Sequence, residues 1–296
     1  MQLLTKPWPT RPDLDTYTST ELAELTGLPA DAVNDASGIG FKRGGWLDPG
    51  ALCRALVDAS GVTTQFGQAA RIARQNPDQP DHWHLGVGDA EPEAVDHVVL
   101  ANGAALHDQR ETAHLPITPA RGQLDRFERG ESGLISQVVT GLHWLVPDGD
   151  TVTAGSTYQR DDVDPQTRTT DQQLNRNGVE TLLGQSVGKG VYSRAGVRAT
   201  TPDRLPFVGP VCDADIAHKD WADLHRGKPA DRYAPPHYIH GLSVLGGFGS
   251  RGIVTAPLSA HLLAEWLCGD GSELYSWAPE IAPHRFIVRQ ARKRKL

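Results

Sequence analysis

The chain has 296 residues, of which 39% are hydrophobic and 22% charged, which is enough for one large domain or two intertwined ones. The absence of a long apolar run argues against a membrane-spanning helix, and the formal net charge of −7 argues against broad, sequence-independent binding of nucleic acids. Three widely separated cysteines and no visible signal peptide lead us to expect a cytoplasmic protein without disulfides.

The first third of the chain predicts two helices followed by short strands. A short helical run lies near residues 19–25, and a clearer helix begins where Asp48 can act as the cap and Pro49 suits the first turn. Gly61 ends this helix, and its apolar residues fall on one face: Leu52, Ala55, Leu56 and Ala59. Strand-like segments follow at residues 62–66, 69–74, 82–87 and 95–101.

The middle of the chain changes in pattern. From residue 121 to about residue 158, short strands alternate with turns, which predicts an antiparallel sheet. A helix is predicted over residues 170–183, and another strand over residues 192–197.

Near the C-terminal end, a predicted strand at 242–246 leads through a glycine-rich turn at 247–252 into a helix of about residues 255–268. Glycines allow close approach of a ligand to the backbone, and a helix N-terminus offers free N–H groups. The pattern suits a phosphate or the negative edge of a reduced flavin. It fits a tight turn without a ligand equally well.

Two other patterns are rejected as sites. The glycine cluster at residues 38–44 resembles a dinucleotide-binding fingerprint, but no hydrophobic strand precedes it and the next helix begins only at Pro49. The histidine pairs at 82–84 and 237–240 have the spacing of metal ligands, but they stand apart from any cluster of carboxylates or thiols. We therefore predict surface histidines and no metal site.

The C-terminal end is basic, and a solvated end is the more common explanation of such a run, although a local binding patch stays open. Its basic residues are His284, Arg285, Arg289, Arg292, Lys293, Arg294 and Lys295.

A series of motifs carries a family resemblance. In chain order they are residues 44–49, 99–104, 115–116 with 121–123, 154–158, Arg198 with 203–209, 249–252 before 256–258, and 283–286. Together they resemble the C-terminal oxidase domain of the bifunctional tRNA 5-methylaminomethyl-2-thiouridine biosynthesis proteins (MnmC), within the D-amino-acid oxidase superfamily. The resemblance runs from about residue 38 to the C-terminus.

The resemblance implies an α/β (α+β) fold, in which an incomplete Rossmann-like FAD-binding domain carries an inserted antiparallel-sheet substrate domain. We expect residues 38–118 and 240–296 in the FAD-binding domain, and residues 1–37 and 119–239 in the substrate-binding domain. The implied enzyme uses FAD to oxidise the carboxymethylaminomethyl group of a tRNA wobble uridine, releasing glyoxylate and leaving the aminomethyl uridine.

The implied partners are tRNA and a methyltransferase domain or protein for the following step. Two alternatives stay open. One is a flavin oxidase of a free amino acid or secondary amine, similar to glycine oxidase, and the other is a non-catalytic remnant. The motif at 285–286 and the basic end favour tRNA over a free amino acid.

Arginine is the natural partner of a substrate carboxylate, and Arg198 and Arg251 are the candidates, with a structural ion pair as the alternative for each. The resemblance places Gly44, Gly45 and Trp46 near the isoalloxazine, although Trp46 also suits a core position. It places Asn102 and Gly103 near the ribose and pyrophosphate, and Ala69 near the adenine. The remaining cofactor-binding candidates are Gly247, Gly249, Ser250 and Gly252.

The chain departs from the family at its beginning. Members of the family start with a βαβ unit of ~30 residues that carries Gly-x-Gly-x-x-Gly and an acidic residue for the adenosine ribose. The first residues here already correspond to the region after that unit. We expect a fragment, or a protein that receives the unit from another chain, and weak or absent flavin colour for this polypeptide alone.

Overall fold

The computed structural model describes residues 1–4, 12–33, 37–74, 82–130, 135–141, 143–227, 229, 232–269 and 280–294. The chain forms two compact units. Unit 1 comprises residues 1–60 and 120–197, and unit 2 comprises residues 61–119 and 198–296. Within the described residues, no helix has both the length and the apolar character needed to cross a membrane.

These units differ from the predicted domains at two places. Residues 38–60, predicted with the FAD-binding domain, belong to unit 1, and residues 198–239, predicted with the substrate-binding domain, belong to unit 2. The physical reason is strand pairing, because residues 37–41 hydrogen-bond to strands of unit 1 and residues 207–212 to a strand of unit 2. The assignment of FAD and substrate to the units stays a prediction.

Unit 1 is built on a sheet of nine strands among the described residues. The strands are β1 (Gln2–Leu4), β2 (Leu14–Tyr17), β3 (Ser37–Phe41), β8 (Thr118–Glu128), β9 (Val139–Thr140), β10 (Trp144–Asp148), β11 (Thr151–Gly155), β12 (Gln159–Arg160) and β13 (Gly190–Thr200). Their order is β12-β8-β11-β10-β9-β1-β3-β2, with β13 paired to β8. The antiparallel sheet predicted for residues 121–158 is therefore confirmed.

In unit 1 the described α-helices are α1 (Ser19–Thr26), α2 (Pro49–Ser60) and α3 (Thr169–Leu183). A capping box formed by Thr18 and Glu21 starts α1, and left-handed Gly27 ends it. The side chain of Leu22 on α1 is fully buried. The core that α1 and α3 share with the sheet comprises Leu22, Leu28, Val33, Phe127, Ile135, Val139, Leu145, Val152, Ala154, Val179, Leu183 and Val187.

A buried polar network joins β8 to α3. The Arg121 guanidinium pairs with Asp171, and both side chains are almost fully buried. Asn175 on α3 donates to the Asp125 carboxylate on β8 (2.6 Å), and Gln123 donates to the same carboxylate (3.1 Å). Because an unpaired charge is costly in a core, this network fixes α3 on the sheet in one orientation.

Unit 2 contains two three-stranded sheets among its described residues. One is β14 (Phe207–Cys212), β15 (Tyr238–Gly246) and β7 (Val98–Leu100) in that order, and the other is β4 (Ala70–Arg74), β5 (Trp83–Val87) and β6 (Glu93–Val95). β14 runs antiparallel to β15, and β7 runs parallel to it with Leu242 opposite Val98. The α-helices of unit 2 that the structure describes are α4 (Ala214–Asp220), α5 (Gly252–Cys268) and α6 (Arg285–Arg292).

One predicted strand is wrong. Residues 62–66 form no strand, and Phe66 is 83% exposed. A short β-prone run is stable as a strand only when another strand pairs with it, and the described residues provide none for this segment. The helix that precedes it, α2, forms as predicted but buries none of its residues.

An ion-pair cluster anchors α6 in unit 2. Both Asp203 oxygens accept hydrogen bonds of 2.9 Å from Arg285, whose side chain is 2% exposed, and Arg289 donates to the same carboxylate at 2.5 Å. The Arg285 guanidinium also lies over the Phe207 ring, 4.2 Å from its centre. Burial opposes ionisation of Asp203, but the hydrogen bonds from the two arginines outweigh it and hold the pKa of this carboxyl well below its usual range.

We expect the Asp203→Asn substitution to lower the free energy of unfolding at pH 7 by about 3 kcal/mol, because Arg285 loses its buried counter-charge. The pKa of the Asp203 carboxyl is depressed in the folded state, so its contribution is present above an unfolded-state pKa of about 3.9 and is lost as the pH falls below it. Urea unfolding, followed by tryptophan fluorescence, measures the difference.

The difference between parent and variant therefore narrows below about pH 4. Asp215→Asn, which neutralises an exposed carboxylate on α4, is the matched control. We expect it to change the free energy of unfolding little, both at pH 7 and below about pH 4. A difference for Asp203→Asn that is the same at every pH would contradict this account.

Candidate functional site

The carboxyl ends of two neighbouring parallel strands define the candidate site in unit 2. β7 ends at Leu100 and continues into Asn102 and Gly103, and β15 ends at Gly246 and continues into the turn at 247–252. Parallel strands end at the same edge of a sheet, and ligands of α/β proteins bind beyond such edges. The structure thus brings together the predicted cofactor-binding residues of these two segments.

The glycine-rich turn is held against the segment that follows β13. Gly247 has a φ of 74°, and a Cβ at this position would lie 2.7 Å from Cγ2 of Thr201. Only glycine satisfies both constraints, because the left-handed conformation and the close contact each disfavour a side chain. After a 3₁₀ turn at Gly249–Arg251, α5 begins at Gly252. The N–H groups of its first turn suit an anion.

The backbone at Asn102 and Gly103 is open. Gly103 has a φ of 63° and begins a 3₁₀ helix that ends at Asp108, and a Cβ on Gly103 would meet no protein atom within 4 Å. The Asn102 side chain is exposed and makes no capping hydrogen bond. A ligand can therefore approach this backbone closely.

The two candidate arginines of the substrate carboxylate belong to the same unit. Arg198 is half-buried near the end of β13, and the next residues, Ala199 and Thr200, lie within about 4 Å of the position that a Cβ on Gly249 would take. Arg251 is exposed in the 3₁₀ turn, where it forms no ion pair with the described residues. Both arginines thus belong to segments that meet at the glycine-rich turn.

The residues predicted to contact the isoalloxazine lie in unit 1. Gly44, Gly45 and Trp46 follow β3 and line a cavity of about 480 Å³, whose wall also includes Tyr17 and Lys42. Trp46 is 54% exposed, so the alternative of a core position for this residue is wrong. Its contact with a flavin stays a prediction.

The structure places the first glycines of the rejected cluster within a strand, not in a strand-to-helix turn. Gly38 and Gly40 lie within β3, which pairs antiparallel with both β1 and β2. A phosphate loop needs a strand-to-helix turn, and these glycines are in the middle of a sheet instead.

Ala69 and the histidine pairs lie elsewhere. Ala69 is exposed just before β4, and its carbonyl accepts a hydrogen bond of 3.2 Å from the Gly88 N–H. Its predicted place beside the adenine stays a prediction. His82 is exposed, with Asp96 at 3.5 Å, and the described residues contain no group of three or more histidines, cysteines or carboxylates placed to hold a metal.

Sequence reasoning missed the residues that support the glycine-rich turn. The Thr201 hydroxyl donates to the Leu205 carbonyl (2.8 Å), and the Thr200 hydroxyl donates to the Thr118 carbonyl (2.8 Å). Both bonds fix the end of β13 against which the turn packs. The Pro202-Asp203 pair signals a bend here, but the sequence does not show what the bend contacts.

The resemblance seen in the sequence implies FAD as the cofactor, and the residues of unit 2 fit part of it. The open backbone at Gly103 and the α5 N-terminus at Gly252 suit the anionic parts of a dinucleotide. The glycine-rich turn at 247–252 leads from β15 through a 3₁₀ turn into α5. The residues at this edge of the sheet therefore fit the anionic part of FAD.

Comparison with solved structures shows the fold. Glycine oxidase from Geobacillus kaustophilus aligns with a TM-score of 0.65 at 18% identity, over 85% of this chain and 62% of that chain. L-proline dehydrogenase from P. horikoshii aligns with a TM-score of 0.68 at 14% identity, over 93% of this chain and 69% of that chain. The fold is that of the D-amino-acid-oxidase-like FAD-binding proteins, with mixed and antiparallel sheets and helices.

Sequence comparison gives relatives that are named for biosynthesis of a modified tRNA uridine. The tRNA 5-methylaminomethyl-2-thiouridine biosynthesis bifunctional protein MnmC of Pseudomonas paraeruginosa is 31% identical over 268 residues, covering 86% of this chain and 40% of that protein. The protein of that name from Aeromonas hydrophila is 32% identical over 289 residues, covering 93% of this chain and 42% of that protein. The chain spans about two fifths of the length of these relatives.

A family model also covers most of the chain. The model described as FAD dependent oxidoreductase matches residues 9–266, which include both candidate arginines and all the predicted cofactor-binding residues. The chain therefore belongs to the family of FAD-dependent oxidoreductases.

Proposed function

We propose that the protein containing this chain oxidises the carboxymethylaminomethyl group of a tRNA wobble uridine, giving the aminomethyl uridine and glyoxylate. The proposal is supported by relatives that are named for biosynthesis of a modified tRNA uridine. The observation that carries the oxidase part is the juxtaposition of Asn102-Gly103 with the turn at 247–252 at one edge of the β7–β15 pair.

The chemistry divides between cofactor and protein. FAD, when bound, supplies the acceptor for the two electrons that leave the substrate C–N unit. The protein then has to hold a neutral secondary amine in place and to bind the carboxylate of the glycine moiety. Water hydrolyses the resulting imine, so the carboxymethyl carbons leave as glyoxylate and the nitrogen stays on the uridine.

We assign the carboxylate to the arginines of unit 2. An arginine donates two parallel hydrogen bonds to a carboxylate, which fixes both its position and its orientation. Arg251 is exposed in the turn itself, and Arg198 lies one residue before the pair that contacts Gly249. The N–H groups at Gly252, together with the backbone at Gly103, are assigned to FAD.

The remaining assignments follow from the same proposal. Gly44, Gly45 and Trp46 face the flavin ring or the substrate in the cavity of unit 1. The partners are tRNA and a methyltransferase domain or protein for the next step, and the reaction takes place in the cytoplasm. These assignments rest on the family and on the names of the relatives.

One further candidate has a specific observation in its favour. Glycine oxidase is among the proteins of the same fold, and its name denotes a free amino acid as substrate. The binding of a small carboxylate by Arg198 or Arg251 would serve such a substrate as well. The substrate test below therefore includes glycine.

The proposed reaction is tested with tRNA that carries 5-carboxymethylaminomethyluridine, incubated in air with the chain and excess FAD. We expect aminomethyl uridine in the nucleoside digest by mass spectrometry and an equal amount of glyoxylate. Glycine and N-methylglycine are the parallel substrates. Turnover of glycine with no change in the tRNA would contradict the proposal and support the free-amino-acid alternative.

A matched pair of glycines tests the cofactor site. Gly103 and Gly149 are both left-handed, and a Cβ on either would meet no protein atom within 4 Å. Alanine therefore introduces similar backbone strain at both positions, roughly 1 kcal/mol. We expect Gly103→Ala to weaken FAD binding about tenfold, because the new methyl group occupies the space of the cofactor, and Gly149→Ala to leave it unchanged.

Titration of the added FAD, followed by quenching of its fluorescence, gives both affinities, and we expect the unaltered chain to bind FAD weakly. Equal affinities for the two variants would place the cofactor away from Gly103.

Substitution of Arg251 tests the carboxylate site. We expect Arg251→Ala to raise KM for the carboxymethylaminomethyl substrate roughly tenfold or more, since a charge-assisted hydrogen bond is lost. Arg251→Lys keeps the charge but not the two-pronged geometry, so its KM falls between those of the parent and Arg251→Ala. Steady-state kinetics against a methyl ester of the substrate provides the comparison.

The ester lacks the charge, so the parent and Arg251→Ala should oxidise it with similar KM values. Arg194→Ala removes an exposed arginine of β13 and is the control for a general loss of positive charge. If Arg251→Ala slows the ester as much as the acid, the residue does not bind the carboxylate.

A further inference from the structure

The cavity of unit 1 has aromatic side chains that are accessible to a ligand. Phe41, at the end of β3, and Trp46, which follows it in the chain, both line this cavity. Phe41 is 49% exposed and Trp46 is 54% exposed, so neither ring belongs to the core. Two large aromatic side chains that are exposed at one cavity provide the apolar surface that a planar ligand needs.

A tight turn fixes the positions of these residues. The Gly44 N–H donates to the Phe41 carbonyl (2.9 Å), which closes a turn over residues 41–44. A Cβ on Gly44 would lie 2.9 Å from the Phe41 Cβ, so the close return of the chain requires glycine at this position. The turn therefore sets where the segment that contains Trp46 begins relative to Phe41.

An ion pair in the wall adds a hydrogen-bonding edge. The Lys42 ammonium lies 3.2 Å from the Asp15 carboxylate, both residues line the cavity, and about half of each side chain is exposed. The pair thus offers a donor and an acceptor side by side. The edge of a uracil ring has the complementary arrangement, a carbonyl next to an N–H, and proteins read unpaired bases at such edges.

The charges near the cavity favour a neutral ring over an ionised one. Asp15 and Lys42 are the charged side chains of the described lining, and their charges offset each other. Arg43 is exposed in the same turn and adds one positive charge beside the cavity. A neutral ring that is attached to a phosphate matches this distribution of charge.

Space for such a ring is open at Gly45. A Cβ on this residue would meet no protein atom within 4 Å, although Gly45 lines the cavity. The volume of about 480 Å³ lies within the range of small-ligand pockets, roughly 300–1,000 Å³. The cavity can therefore hold one nucleotide.

We propose that the cavity of unit 1 binds the uracil ring of the substrate nucleotide, stacked on Trp46, with its carbonyl and N–H edge at Lys42 and Asp15. The choice of a uracil rests on the proposed function, whereas the exposed ring and the donor–acceptor pair are features of this chain. The pyrimidine end of a flavin has the same kind of edge, so the test separates these two ligands.

The test measures the fluorescence anisotropy of a fluorescein-labelled oligouridylate of ~10 nucleotides, titrated with the whole chain in the absence of FAD. We expect Trp46→Ala to weaken binding roughly fivefold or more, because the stacked ring is lost, and Trp46→Phe to weaken it less than about threefold. Phe66→Ala removes an exposed aromatic ring outside the described lining and should leave the affinity unchanged.

A modified probe tests the hydrogen-bonding edge. An oligomer of N3-methyluridine keeps the ring but lacks the N–H, so the unaltered chain should bind it about fivefold more weakly than oligouridylate. Asp15→Ala should bind the two oligomers with similar affinity, because the acceptor of that N–H is gone. Glu128→Ala breaks a comparable surface pair of unit 1, with Lys189 at 3.5 Å, and should keep the preference.

A matched pair of glycines tests the space in the cavity. Neither Gly45 nor Gly196 is left-handed, and a Cβ on either would meet no protein atom within 4 Å. We expect Gly45→Val to abolish binding by filling the cavity, and Gly196→Val, on β13, to leave it unchanged. Thermal unfolding by circular dichroism checks both variants. If Gly45→Val does not fold, the preference of the unaltered chain for oligouridylate over its N3-methyl form still decides.

Competition identifies the ring that the cavity binds. Displacement of the oligouridylate by uridine 5′-monophosphate at a lower concentration than by riboflavin supports the proposal, and the opposite order assigns the cavity to the flavin and overturns it. Three further outcomes overturn it: no binding at physiological salt, equal affinity of the unaltered chain for the two oligomers, or equal affinities of Trp46→Ala and Phe66→Ala. Because binding is measured without FAD and without turnover, a failure of the proposed oxidation would not change these results.

Discussion

The parallel pairing of β7 with β15 is the constraint on which the candidate site depends. These strands are more than 140 residues apart in sequence, and their register places Val98 opposite Leu242. Because both strands run the same way, the loops that follow them leave the sheet at one edge. A shift of this register would move Gly103 relative to the turn at 247–252.

The ion pairs of Asp203 with Arg285 and Arg289 support the edge of the sheet at which these loops meet. Asp203 accepts hydrogen bonds from Arg285 and Arg289 of α6, and the Thr201–Leu205 bend that contains it packs against Gly247. The C-terminal helix thus stabilises the segment on which the glycine-rich turn rests. The Arg285 side chain is almost fully buried, so it stabilises the fold through its ion pair with Asp203 and is not available to an RNA ligand.

Local patterns predicted much of the secondary structure for clear physical reasons. The capping residue Asp48, with Pro49 in the first turn, set the start of α2, and the glycine after Ser60 ended it. The strand predicted at residues 62–66 is wrong because β-propensity describes how a side chain fits a pleated surface and cannot supply a partner strand. Gly38 and Gly40 lie within β3, so they do not form the strand-to-helix turn that a phosphate loop needs.

By itself the sequence determined the family, the glycine-rich turn before α5, and the candidate residues of the site. These depend on residue type and short spacing, which a linear pattern records directly. Only the tertiary structure decided which segments meet, that residues 38–60 belong with unit 1, and that the basic end divides into buried Arg285 and exposed Arg292. The burial of a side chain and the pairing of strands far apart in sequence depend on how the whole chain packs. A local sequence pattern therefore does not predict them.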